Sequence, residues 1–128
     1  MHAVIAFSAL PLFLGALLSD WAYSSSYQVQ WTNFASWLVA AGLVLAGIAL
    51  LWGALDVLLR SRTTRHRHGM LYLLLLLATF VLGFINALVH ARDAWAAMPT
   101  ALILSVVVVV LAAAASALGL AGMHRRTA

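Results

Sequence analysis

Four long apolar runs separated by three polar stretches make up almost the whole chain. The first covers about residues 3–19, near the lower limit of roughly 17 residues for crossing a hydrocarbon core. No arginine or lysine precedes it, and the segment around Ser19 lacks a small-x-small cleavage pattern, so it reads as a retained helix rather than a signal peptide. Pro11 removes one backbone donor and leaves the Phe7 carbonyl without its usual partner, which predicts a mild kink. The second run, about residues 34–59, is long enough to cross with tilt or to project past the bilayer. The third covers about residues 69–90 and the fourth about residues 100–123, with five consecutive valines at 106–110. Pro99 suits the first turn of this last helix. The pattern predicts an all-α fold: one transmembrane domain over residues 1–128, built as a four-helix bundle.

The polar stretches fit the same picture. Residues 20–33 contain Trp21, Tyr23, Tyr27 and Trp31, side chains suited to a headgroup-level belt, and read as the connection between the first two spans. Trp95 is a second interfacial anchor. The two outer turns share an aspartate close to a tryptophan, Asp20 with Trp21 and Asp93 with Trp95, a hint of a duplicated hairpin.

Composition decides the solvent. The chain is 66% hydrophobic and 8% charged, against about half apolar and about a quarter charged in an ordinary soluble domain. A soluble fold of this size has too much surface to bury so many apolar groups. Lipid must surround most side chains. The absence of cysteine excludes disulfides, thiolate metal sites and cysteine-ligated iron–sulfur clusters.

Lysine and glutamate are also missing; all 7 basic residues are arginines, and the acids are Asp20, Asp56 and Asp93. The net charge of +4 does not point to nucleic acid, because the arginines flank apolar spans. Arg60, Arg62, Arg65 and Arg67 sit between spans two and three, and Arg125 and Arg126 in the tail, while Arg92 alone lies at the other side. This asymmetry predicts a multi-pass protein with both termini and the arginine-rich loop in the cytoplasm. Headgroup binding by that loop is an equally simple use of its charge.

Helices in lipid associate through small residues and a few interhelical hydrogen bonds. In span two, Gly42, Ala46, Ala49, Gly53, Asp56 and Arg60 recur at helical spacing and share one face, with Arg60 an i,i+4 partner for Asp56. In span three, His68, Tyr72, Thr79, Gly83, Asn86, His90 and Asp93 form a matching stripe. Span four offers Ser105, Ala112 and Gly119, and span one Ser8, Pro11, Gly15 and Ser19. The simplest bundle turns these sides inward.

An acid at membrane depth is costly and marks function by default, so Asp56 stands out, with pairing to Arg60 as the plain alternative. A b-type haem in such a bundle needs two axial imidazoles. His2, His68 and His124 gather at one face as candidates, whereas His68 and His90 are separated by roughly 33 Å of helix and cannot share one iron. At the other face, His90, Asp93 and Asp20 offer imidazole and carboxylate ligands for a divalent metal, or hydrogen bonds to Arg92 and Trp95. No nucleophile–base set, phosphate loop or paired catalytic carboxylates occur.

The chain resembles a bacterial family of predicted inner-membrane proteins, domain of unknown function 2231. The resemblance runs over nearly its whole length. It rests on a first apolar helix with His2 and Phe7 that ends in Asp20, and on a second helix with Trp37, Leu38, Gly42 and the Gly53-Ala54-Leu55-Asp56 motif. It continues in a third helix that begins at Gly69 after a basic loop and ends near Arg92. Where the family often has a proline and a second histidine after the first, this chain has Ala3 and Ala6. The resemblance implies four helices and an inner-membrane location, without a reaction.

These observations favour a non-enzymatic accessory or scaffold subunit that meets lipid and other membrane proteins or further copies of itself. Two rivals are a haem electron carrier using His68 with His2 or His124, and a small proton or solute conductor. The conductor would use Asp56, Tyr72, Asn86 and His90, in an intramembrane polar stripe that also holds Arg60 and Thr79.

Overall fold

A backbone immersed in lipid must satisfy its own hydrogen bonds, and in a computed structural model the chain does so with four helices. They are α1 (His2–Ser26), α2 (Val29–Leu59), α3 (Arg67–His90) and α4 (Thr100–Thr127). The structure describes residues 2–59, 67–92 and 98–127. Each helix is long and apolar enough to span a membrane.

α1 and α2 both run further than their apolar stretches. The expected connection over residues 20–33 shrinks to Tyr27 and Gln28. The serines there are accommodated within the helix, with their hydroxyls donating back to its carbonyls: Ser24 and Ser25 to Trp21, and Ser26 to Ala22. Tyr27 then ends it in the left-handed region, at φ 59°, with its N–H donating to the Tyr23 carbonyl at 2.8 Å. This is the single-bond left-handed cap that glycine usually occupies.

Each helix packs on its chain neighbours, and α4 closes the ring against α1. α1 and α3 therefore face each other across a diagonal. They run in the same direction, since His2 meets Tyr72 at one end and Asp20 meets His90 at the other.

The inward face of α1 is an alanine ridge, Ala3, Ala6, Ala9 and Ala16, interrupted by Phe13 and finished by Ser19, Asp20 and Tyr23. This corrects the expected small-and-polar face. Ser8 and Pro11 are exposed, and Gly15 is only half-buried. Ser8 can face lipid because its hydroxyl is satisfied within the helix, by the Val4 carbonyl at 2.8 Å.

On α2, Gly42, Ala46, Ala49 and Gly53 are buried. A Cβ added at Gly42 would lie 2.7 Å from the Phe13 ring, and one at Gly83 2.8 Å from Leu43. Phe13 thus fills the middle of the bundle, in a core with Val39, Leu43, Ala46, Val108 and Ala112. Gly119, half-buried on α4, makes room for the Tyr72 ring. Large apolar side chains such as Leu18, Leu51, Phe84 and Val110 point outward.

Candidate functional site

Four buried polar residues converge at the end of the bundle where α1 finishes. Asp20 from α1, Asn86 and His90 from α3 and Ser105 from α4 are 0%, 1%, 7% and 2% exposed. Their order follows from helical spacing. Asn86 and His90 are one turn apart on α3, so both point at the bundle axis. Asp20 lies level with them because α1 stays helical beyond its apolar run.

The hydrogen bonds fix most of the protons. The His90 ring donates through Nδ1 to the Asn86 carbonyl at 2.9 Å, and its Nε2 lies 2.7 Å from Asp20 Oδ1. Ser105 donates to Asp20 Oδ2 at 2.5 Å and accepts from the Asn86 amide at 3.0 Å. One proton must therefore sit between Nε2 and Oδ1. Imidazolium with carboxylate, or imidazole with carboxylic acid, gives the same net charge of zero. A neutral network whose members satisfy one another is what low-dielectric surroundings tolerate. One acceptor is left over: Asn86 Oδ1 has no partner.

A second polar group lies at the opposite end of the same diagonal. His2 Nδ1 is 3.1 Å from the Tyr72 hydroxyl, and His2 Nε2 is 3.6 Å from Asp56 Oδ2. Both the His2–Tyr72 and the Asp20–His90 pairs are 70 positions apart in sequence. The two groups are five helical turns, about 27 Å, from each other.

The residues singled out in the sequence divide between these groups. Of the proposed metal ligands, Asp20 and His90 come together in a direct hydrogen bond, and Asp93 lies outside the described residues. Both ring nitrogens of His90 face protein acceptors. Among the described residues no three metal-ligating side chains cluster. Of the haem candidates, His2 contacts Tyr72 and Asp56, His124 is exposed on α4, and the side chain of His68 lies outside the described residues.

In the polar stripe, Tyr72, Thr79, Asn86 and His90 are buried, with the Thr79 hydroxyl donating to the Leu75 carbonyl at 2.8 Å. Asp56 is a third exposed and near His2, while Arg60 lies outside the described residues. Of the two acids among the described residues, Asp20 is therefore the one held deep.

Sequence reasoning placed Ser105 on a packing seam and did not join it to Asp20. The signal was the matched spacing: His2 and Asp20 on one helix, Tyr72 and His90 on another, each separated by 18 residues. On parallel helices such a match brings both ends into register.

Four helices, each long and apolar enough to cross a membrane, packed around an apolar middle with polar groups at its ends, define a multi-pass membrane protein in contact with the bilayer. The chain belongs to the predicted membrane protein family DUF2231, whose model matches residues 1–125. No curated protein and no solved structure matches it.

Proposed function

We propose that this chain is a non-enzymatic accessory or scaffold subunit of a bacterial inner-membrane complex, with both termini in the cytoplasm. The observation that carries this reading is that four buried polar side chains from three helices engage one another. Asp20, His90, Ser105 and Asn86 form an interhelical brace, and the outward faces are lined by large apolar side chains. Such a body is suited to holding shape among other helices. Extraction into native nanodiscs tests it: a discrete assembly of constant stoichiometry is expected. A strictly monomeric particle that never co-purifies with a partner overturns the proposal.

A second reading, a small proton or solute conductor, draws on the proton shared by Asp20 and His90. The Phe13, Leu43 and Val108 layer between the two polar groups weighs against a continuous path. Flux into liposomes that Asp20→Asn abolishes would favour this reading over the first. The haem reading keeps less support, because His2 already faces Tyr72 and Asp56. A preparation made with ample haem and lacking a Soret band rejects it.

A further inference from the structure

The seam between α2 and α3 is the loosest of the four neighbouring contacts, and it holds two concavities of different character. Near the start of α2 and the end of α3, a polar cleft of about 370 Å³ is lined by Gln30, Asn33, Ser36 and Arg92. Arg92 is exposed, and among the described residues its guanidinium has no carboxylate within ion-pair distance. Asp20 adds no charge to this cleft, being inaccessible and already paired with His90.

Further along the same two helices, an apolar groove of about 390 Å³ is lined by Val44, Gly47, Phe80 and Phe84. The missing side chain at Gly47 opens it; a Cβ there would lie 3.1 Å from the Phe80 ring. The step from Ser36 to Leu43 on α2 is seven residues, about 10 Å. One leaflet of a hydrocarbon core about 30 Å thick is some 15 Å deep. The groove thus begins within the leaflet whose headgroups meet the cleft. Trp31 and Tyr27, at the same end of the bundle, are side chains that sit at headgroup level.

We propose that the α2–α3 seam binds one glycerophospholipid, with its phosphodiester in the polar cleft and an acyl chain in the groove. Arg92 supplies the positive charge, and the side-chain amides of Gln30 and Asn33 supply neutral donors for the phosphate oxygens, the Ser36 hydroxyl being committed to the Thr32 carbonyl. Gly47, Phe80 and Phe84 form the walls for the chain. A free phosphate would use only the cleft, and a neutral diacylglycerol only the groove. The pairing of both along one seam selects the amphiphile.

The test is native mass spectrometry of the delipidated full chain titrated with phosphatidylglycerol. A single saturable adduct is expected, with diacylglycerol at least tenfold weaker and millimolar inorganic phosphate unable to displace the lipid. Arg92→Gln and Val44→Trp, both at exposed side chains, are each expected to weaken the adduct at least tenfold. A phosphatidylglycerol photoactivatable in its acyl chain should crosslink to peptides carrying Val44 or Phe84, which decides the matter without any substitution. Equal binding of diacylglycerol, displacement by phosphate, insensitivity to both variants, or crosslinks spread evenly over all four helices would each overturn the proposal.

Discussion

His90 Nε2 lies 2.7 Å from Asp20 Oδ1 across the diagonal of the bundle, and side-chain exposure is 1% for the histidine and 0% for the aspartate. Two groups that are individually costly in lipid become one neutral unit that ties α1 to α3. Ser105 adds α4 to the same unit. Breaking a buried pair from one side is far worse than never having it, because the remaining charge is stranded.

His90→Ala should therefore destabilise the bundle by about 3–5 kcal/mol. Asp20→Asn should cost much less, since an amide can donate to neutral imidazole and accept from Ser105. The double variant should recover part of the His90→Ala loss. Unfolding of the four proteins in one detergent checks this; additive losses would mean that the two side chains are not coupled.

Ser105→Ala removes the donor to Asp20 and the acceptor for the Asn86 amide together. A loss of about 1–3 kcal/mol is expected for the buried groups left unsatisfied. Ser8→Ala is the control. Its hydroxyl donates only to its own helix at the lipid face, and its melting temperature should stay within error of the parent.

Glycine-to-alanine changes should have opposite signs at two positions. At Gly42 the new methyl meets the buried Phe13 ring at 2.7 Å, so overpacking of about 1–3 kcal/mol is expected, with partial rescue by Phe13→Leu. At Gly122 nothing lies within 4 Å, and alanine should stabilise the helix by about 0.5–1 kcal/mol. Thermal melts of the two single variants report the signs directly.

Tyr27 ends α1 at φ 59°, a conformation that costs an ordinary residue roughly 1–2 kcal/mol. Tyr27→Gly should raise the melting temperature, and Tyr27→Val should lower it. If both variants melt together, the cap is not strained.

The lack of cysteine makes topology easy to map. A single cysteine at Ser25 should react with a membrane-impermeant thiol reagent added to intact cells, and one at Arg62 should react only after lysis. The reverse pattern would place the arginine-rich loop outside.

Much of the architecture was legible because lipid makes apolar length a nearly direct readout of span. The stripes on α2 and α3 were legible for a related reason. Gly42, Ala46, Ala49 and Gly53, like Thr79, Gly83, Asn86 and His90, are the exceptions in otherwise bulky helices, and exceptions in lipid face inward. α1 misled because its exceptions have two uses. Ser8 satisfies itself and faces lipid, whereas plain alanines such as Ala6 and Ala9 form the packing ridge. The helical character of residues 20–26 was hidden because serine and aspartate usually signal an end, whereas here the serine hydroxyls bond within the helix and Asp20 finds its partners on α3 and α4.

What the residues alone determined was the solvent, the four spans and the inward sides of α2 and α3, since each depends on local composition and helical period. That Asp20 rather than Asp56 is the deeply buried acid was decided by tertiary structure. Asp20 and His90 are 70 positions apart, and their meeting depends on the relative height and rotation of two helices that are not chain neighbours. Those two quantities are set by close packing of alanines, glycines and Phe13, a property of the assembled bundle that no single helix carries.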